Sequence, residues 1–185
     1  MKRFATRDAW SKWLDKNHAS SSGIWMQIAK KSSGRKSTSY PEALDVALCY
    51  GWIDGQKLPL DEVWWLQRFV PRGARSLWSK INREKALALI ASGAMKPAGL
   101  AAIERATKNG QWESAYDSPR LAVMHHELEV ALHREPEAKA FFATLNKANR
   151  YAILWRVQTA KRSETRARLI EKFVGMLKRG EKLHP

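Results

Sequence analysis

With 185 residues and a mass of 21.1 kDa, the chain suits one domain or one domain with an appendage. Hydrophobic residues make up 44% and charged residues 28%, which argues against wholesale disorder, and no apolar run approaches the roughly 18 residues of a membrane span. Lys and Arg number 33 against 18 Asp and Glu, a net charge of +15 that bears on partners rather than on fold.

The N-terminal half is typical of helices around a small sheet. The alternating apolar side chains of 24–30 predict a strand. Thr6 could cap a short first helix, and Pro41 and Gly51 suit the two ends of the next. The segments 52–58 and 63–70 then flank a hairpin loop, so we expect a small antiparallel sheet of three strands.

From Ser79 onward the sequence predicts only helices. Ser79 opens a helix that turns Leu87 and Ile90 inward, and Pro97 opens the next, which carries Leu100 on its apolar side. Further helices are predicted near 124–134, 136–145, 147–160 and 163–179, the last capped by Ser163 and striped by Ile170, Phe173, Val174 and Leu177. The predicted fold class is therefore α+β, with the three-stranded sheet and its helices in the N-terminal half and an all-helical C-terminal half.

The longest irregular stretch separates two predicted units. Residues 1–110 form an α+β unit that contains the Trp-Ile-Asp-Gly hairpin. Residues 111–122 connect it to a helical unit over 123–185. The chain has no internal repeat and no low-complexity run.

The stretch 49–82 carries the strongest indication of a binding site. If the hairpin turns near Asp61, Asp54 lies opposite Arg68, and further guanidinium groups follow the strand directly. Guanidinium groups, aromatic walls and a helix N-terminus are the usual parts of an anion site. The predicted ligand-binding residues are Trp52, Asp54, Arg68, Arg72, Arg75, Trp78, Ser79 and Asn82. We expect Arg72 and Arg75 to reach solvent. The alternative to a binding site is that Asp54 and Arg68 form only a cross-strand pair and that the tryptophans only fill the core.

A second basic region lies near the C-terminus. Over 146–185, basic side chains outnumber acidic ones, and some share part of a helix surface that could follow a phosphate backbone. The candidate nucleic-acid residues are Arg150, Arg162, Arg166 and Lys172. A solvated helix face explains the same pattern, because no known nucleic-acid-binding signature accompanies the charge.

Signatures of catalysis, metal and cofactor binding are missing. No nucleophile elbow, phosphate-binding loop or dinucleotide fingerprint occurs, and Asp54 or Glu42 would be the only candidate general base, so enzyme activity stays open. His126, Glu129 and His133 share a helix face, but we expect a solvated polar surface rather than a metal site. No cofactor is predicted.

The lone cysteine and the first residues point to a reducing compartment. Cys49 cannot form an internal disulfide, and we expect it to be a buried structural thiol. Charged residues follow Met1 too early for an export signal. The expected location is the cytoplasm, and the oligomeric state is left open.

Several ordered motifs resemble those of the YdeI/OmpD-associated family. They are Tyr40-Pro41-Glu42-Ala43, Cys49-Tyr50-Gly51-Trp52-Ile53-Asp54-Gly55, Arg68-Phe69-Val70-Pro71-Arg72, Ser76-Leu77-Trp78-Ser79-Lys80, Tyr151-Ala152-Ile153-Leu154-Trp155 and Ala160-Lys161-Arg162-Ser163-Glu164. The resemblance spans essentially the whole chain. It implies a bacterial stress-resistance protein that protects against bacteriocins and cationic antimicrobial peptides. Because a protein of net charge +15 repels cationic peptides, we expect an indirect role, through binding of a small anionic ligand.

Overall fold

The computed structural model describes all residues from Met1 to Pro185, which form two compact units. The sheet unit comprises residues 1–78 and 82–113, and the helical unit comprises residues 79–81 and 114–185. Together they contain eight helices and one four-stranded sheet, which confirms the predicted α+β class.

The sheet has the strand order β1-β2-β4-β3. Its strands are β1 (Lys2–Arg3), β2 (Ile24–Ala29), β3 (Trp52–Pro59) and β4 (Trp64–Pro71). The predicted antiparallel strands are present, since β4 pairs antiparallel with both β2 and β3. The sheet is nevertheless mixed and four-stranded rather than antiparallel and three-stranded, because β1 pairs parallel with β2.

The additional strand has no signal in the local sequence. Lys2 and Arg3 are both charged, and two residues show no alternation of apolar and polar side chains. A more distant contact secures this segment: Phe4 is buried, and its carbonyl oxygen accepts hydrogen bonds from the N–H and hydroxyl of Thr38 at 2.9 and 3.2 Å. The strand therefore depends on tertiary contacts rather than on its own residues.

One face of the sheet is covered and the other is open. On the covered face, Met26, Trp52 and Phe69 pack with Trp10 and Leu14 of a helix, and all five are at most 1% exposed. The opposite, open face consists of Arg3, Trp25, Gln27, Ala29, Ile53, Leu58, Trp64, Leu66, Arg68 and Val70. None of these ten side chains belongs to the main hydrophobic cluster of the sheet unit, although Trp64 is buried at 9% exposure.

The sheet unit contains four helices, two between its strands and two after them. They are α1 (Arg7–Asn17), α2 (Tyr40–Cys49), α3 (Lys80–Ala91) and α4 (Pro97–Lys108), although the first two residues of α3 belong to the helical unit. The prediction that Leu87 and Ile90 face inward is wrong, because they are 52% and 39% exposed, and Leu100 of α4 is 47% exposed. Small residues take their place, because α4 buries Gly99, Ala102 and Ala106 instead. Side chains of that size let backbones approach closely, which the apolar pattern does not reveal.

The helical unit has its own hydrophobic core. Its helices are α5 (His126–Arg134), α6 (Pro136–Thr144), α7 (Lys147–Thr159) and α8 (Ser163–Lys178). Leu128, Ile153 and Phe173 are at most 1% exposed. The N-cap of α8 is Arg162 rather than the predicted Ser163. One isolated parallel bridge, Ser79 with Tyr116, is the only β-pairing in this unit, and no helix of the protein is both long and apolar enough to cross a membrane.

Candidate functional site

Two of the predicted ligand residues are occupied by structural contacts. Trp52 is 1% exposed, and its indole N–H donates to the carbonyl oxygen of His18 at 3.2 Å. The Asp54 carboxylate accepts a hydrogen bond from the hydroxyl of Tyr40 at 2.9 Å. Both side chains thus tie the start of β3 to other elements of the sheet unit.

The predicted pairing of Asp54 with Arg68 is wrong. Asp54 lies opposite Phe69, and the register shifts between Asp54 and Lys57. This irregularity leaves Gly55 beside Arg68, so Asp54 remains on the covered face and Arg68 belongs to the open face. A bulge inserts an extra residue and reverses which side chains share a face, which a count along two strands cannot anticipate.

Arg72 does not reach solvent as expected. It is 6% exposed, its Nη1 donates to the carbonyl oxygen of Leu77 at 3.0 Å, and its guanidinium carbon lies 3.6 Å from the ring centre of Trp78. The cavity beside Arg72 and Trp78 measures about 10 Å³, which admits no more than one water. Arg75, by contrast, is exposed as predicted. These residues therefore form no cavity of ligand size.

The remaining predicted residues belong to different units. Ser79 pairs with Tyr116 in the helical unit, whereas Asn82 belongs to the sheet unit. The structure thus joins Arg72 to Trp78, and of the predicted set these two line the small cavity described above. Ligand binding by these residues stays a prediction.

Two of the four candidate nucleic-acid residues are engaged within the helical unit. Arg166 donates to both carboxylate oxygens of Glu127 at 2.9 and 3.0 Å, which lowers the pKa of Glu127 and raises that of Arg166. Arg150 donates to the carbonyl oxygens of Ala143 and Leu145 at the end of α6. The other two, Arg162 and Lys172, are exposed. Nucleic-acid binding by this segment stays a prediction.

The predicted metal and thiol candidates occupy ordinary structural positions. His133 places its Nδ1 2.8 Å from the carbonyl oxygen of Glu129, one helical turn earlier. No group of three or more His, Cys, Asp or Glu side chains is arranged to hold a metal ion. Cys49 is buried as predicted, and burial raises the pKa of its thiol.

A cavity of ligand size lies in the sheet unit, where α1, α2 and α4 meet. This cavity, the Arg7–Lys96 pocket, measures about 380 Å³. It is lined by Arg7, Asp8, Ser11, Val46, Cys49, Tyr50, Ala94 and Lys96. Its buried floor comes from α2 and its polar rim from the first turns of α1 and α4.

Local sequence places both cations of this pocket. Thr6 caps α1 by accepting from the N–H of Ala9, so Arg7 begins the helix. Lys96 is the N-cap of α4, and its backbone N–H donates to the carbonyl oxygen of Cys49 at 3.2 Å. Gly99 permits this approach, because a Cβ at that position would collide with the Cys49 carbonyl.

A chain of hydroxyl groups crosses the pocket floor. The Tyr50 hydroxyl donates to the Asp15 carboxylate at 2.6 Å, and its oxygen lies 3.1 Å from that of Ser11. Since the single hydroxyl hydrogen of Tyr50 is used on Asp15, Ser11 donates to Tyr50 and keeps its own lone pairs as acceptors. Burial and the bond to Asp15 raise the pKa of Tyr50 to about 12. Neither Tyr50 nor Cys49 is thus ionised at neutral pH.

The cations of the rim form no ion pair, although hydrogen bonds from Ser39, and with them the charge of Arg7, lower the pKa of Glu42. No acidic side chain forms an ion pair with Arg7 or Lys96, whereas Asp8 is paired with Lys12 at 2.8 Å. Sequence reasoning missed Arg7, Ser11 and Lys96, although the Thr6 cap and Pro97 already marked where the two helices begin. What the sequence could not reveal is that these two helix starts meet.

Comparison with protein families assigns the two parts of the chain differently. Residues 2–102 match the family described as "Domain of unknown function (DUF8412)", which is more than half of the chain. The chain belongs to this family. Residues 122–180 match a second family, "Bacteriocin-protection, YdeI or OmpD-Associated". The predicted YdeI/OmpD resemblance is therefore confirmed over residues 122–180 and not over the whole chain, and no curated protein or solved structure matches significantly.

Proposed function

We propose that the protein binds a small anionic compound in the Arg7–Lys96 pocket. The observation that carries this proposal is the pair of cations on the rim of a 380 Å³ cavity, with no carboxylate bound to either. A guanidinium and an ammonium group on one rim favour a carboxylate or phosphate. The N-terminal ends of α1 and α4 add positive potential there.

The floor of the pocket favours binding over catalysis. The raised pKa values of Cys49 and Tyr50 leave no thiolate nucleophile and no phenolate base at neutral pH. Ser11 offers an acceptor, so the preferred anion also carries a hydroxyl or amine donor. Small hydroxy acids, amino acids and phosphorylated metabolites have this chemistry.

The match over residues 122–180 supports a role in resistance to bacteriocins or cationic antimicrobial peptides. The net charge of +15 opposes direct capture of such peptides. We therefore propose an indirect role, in which the ligand-bound protein acts within the cytoplasm during stress.

A thermal-shift screen of small carboxylates and phosphates tests the binding site. A ligand at about 100 times its Kd stabilises the folded protein by about 2.7 kcal/mol, and calorimetric titration then gives its affinity. We expect Arg7→Gln and Lys96→Gln each to weaken binding at least about tenfold. The control is Lys16→Gln, an exposed residue of α1 whose replacement changes the net charge equally.

If Arg7→Gln and Lys96→Gln bind the ligand as tightly as Lys16→Gln does, the pocket is not the binding site. Resistance is tested separately, by survival of a bacterial strain that lacks the protein and is complemented with each variant. The role in resistance predicts that Lys16→Gln restores survival under bacteriocin or cationic peptide and that the two pocket variants do not.

A further inference from the structure

The open face of the sheet combines aromatic and cationic side chains. Trp25 and Arg68 lie on neighbouring strands directly opposite each other, and both are half-buried. Leu58 of β3 is 45% exposed. On the covered face Met26 is fully buried, and on the open face Trp64 is only 9% exposed. The apolar surface left exposed by Trp25 and Leu58, with cationic side chains beside it, is typical of an interaction site.

Each tryptophan of this face lies beneath a guanidinium group. The guanidinium carbon of Arg3 is 3.7 Å from the ring centre of Trp64, and that of Arg68 is 5.7 Å from the ring centre of Trp25. Gln27 orients Arg3, because its side-chain oxygen accepts from Nε and Nη2 of Arg3 at 3.0 and 2.7 Å. Arg3 is exposed, so the outer side of its planar group remains accessible.

No carboxylate offsets these positive charges. None of the strand positions of the open face carries Asp or Glu, and neither Arg3 nor Arg68 forms an ion pair. The Asp61 carboxylate in the hairpin loop accepts hydrogen bonds from the backbone N–H groups of Val63 and Trp64 at 2.8 and 2.7 Å. The face therefore presents positive charge and flat π surfaces to the same partner.

We propose that the open face binds single-stranded nucleic acid. Unpaired bases stack on aromatic rings and on guanidinium planes, and their phosphates are neutralised by the same cations. Trp64 itself is only 9% exposed, so the exposed guanidinium of Arg3 above it provides the stacking surface at that position. Trp64 lies four residues along β4 from Arg68, which separates the two stacking points by about 13 Å. A strand of several nucleotides can reach both points. A duplex cannot, because its bases are already stacked on each other.

Fluorescence anisotropy of labelled oligonucleotides of about 12 residues tests this proposal with the full chain. We expect Trp25→Ala to weaken binding about 5- to 150-fold, the range that loss of one stacked base produces. Arg3→Gln and Arg68→Gln should each weaken binding and lower the slope of log affinity against log salt by about 0.7. A labelled duplex of the same length should bind more weakly and be insensitive to Trp25→Ala.

Matched controls show whether a loss of affinity comes from the open face or only from the lower net charge. Lys139→Gln and Arg168→Gln remove exposed cations of the helical unit that lie outside the candidate nucleic-acid residues, and each changes the net charge as much as Arg68→Gln does. We expect both to retain most of the affinity. If they weaken binding as much as Arg3→Gln and Arg68→Gln, the attraction is non-specific and the proposal fails.

Photocrosslinking of the unmodified protein gives a result that needs no variant. A single strand that carries thiouridine should crosslink to peptides of β2 and β4. Crosslinks confined to α5–α8 would place the nucleic acid on the helical unit and overturn the assignment. The absence of measurable binding at low salt, where phosphate contacts are strongest, would overturn it as well.

Discussion

Basic side chains are used differently in the two units. In the helical unit, Arg166, Lys178 and Arg179 form ion pairs with carboxylates at 2.8 to 2.9 Å. In the sheet unit the ion pairs use lysines, namely Lys12, Lys85 and Lys108. The arginines Arg3 and Arg72 of this unit instead lie over tryptophan rings at 3.6 to 3.7 Å. An ion pair cancels the charge that it uses, whereas a cation–π contact leaves the full positive charge in place.

Because of this difference, the number of basic residues in a segment does not tell how many of them can bind an anion. The sequence places a large basic excess near the C-terminus, which favours a binding surface there. Carboxylates take up part of that excess. The cations that form no ion pair include Arg162 and Lys172 of the helical unit and Arg3, Arg7, Arg68 and Lys96 of the sheet unit. The partners of a charge, more than its density in the sequence, indicate where an anion can bind.

The largest expected effect concerns the buried arginine of the sheet unit. Arg72→Ala removes a charged hydrogen bond to Leu77 and the contact with Trp78. We expect the free energy of unfolding to fall by about 2–4 kcal/mol, because both contacts are shielded from water. Chemical denaturation measures it. Arg75→Ala is the control and should change stability by less than about 0.5 kcal/mol; equal stability of the two variants would show that stacking on Trp78 contributes nothing.

The next largest effect concerns Asn149, a buried and uncharged polar side chain of the helical unit. Asn149 is 1% exposed, and its amide exchanges two hydrogen bonds with the backbone of His184, at 2.9 and 3.1 Å. We expect Asn149→Ala to lower the free energy of unfolding by about 1–3 kcal/mol, since it leaves buried polar groups without partners. Limited proteolysis should then remove the C-terminal residues faster. A variant at the exposed Lys147 serves as control, and unchanged cleavage in Asn149→Ala would contradict the anchoring role.

The smallest effect concerns how one ion pair of the helical unit, Lys80 with Asp117, makes the stability of the protein depend on pH. The ion pair with Lys80 lowers the pKa of Asp117, and a bond from Gln158 acts in the same direction. A lowered folded pKa means that the pair stabilises the protein fully above the ordinary carboxyl pKa of about 4, and that this stability is lost as the pH falls through the folded value.

Asp117→Asn should therefore cost about 1 kcal/mol or less at neutral pH and weaken the loss of stability in acid. Unfolding of the variant and the parent protein is compared at about pH 7 and about pH 3. The exposed pair partner Asp8 provides the control substitution Asp8→Asn. An unchanged acid response in Asp117→Asn would mean that other carboxyl groups cause it.

The sequence correctly predicted features whose interacting residues are close together along the chain. Thr6 caps α1 as expected, and Asp61 closes the hairpin by accepting two backbone N–H groups. Phe173 and Leu177 lie in the core of the helical unit, as the spacing along α8 indicates. In each case the interacting groups are within a few residues of one another.

Distant contacts account for what the sequence did not predict. The bulge after Asp54 decides that Asp54 and Arg68 lie on opposite faces, and the burial of Arg72 depends on how the chain turns back through Leu77. The Arg7–Lys96 pocket joins two helix starts that are almost ninety positions apart in the sequence. Side-chain type predicted the chemistry of an anion site, but the tertiary fold determined which cations form it.

The two edges of the sheet bear on how the protein behaves at high concentration. At one edge β1 offers only two residues, both charged, and at the other β3 carries a bulge and ends at Pro59. Short, charged or irregular edges prevent the hydrogen-bond ladder from continuing into a second molecule. The sheet can therefore present tryptophan on its open face without recruiting copies of itself strand to strand.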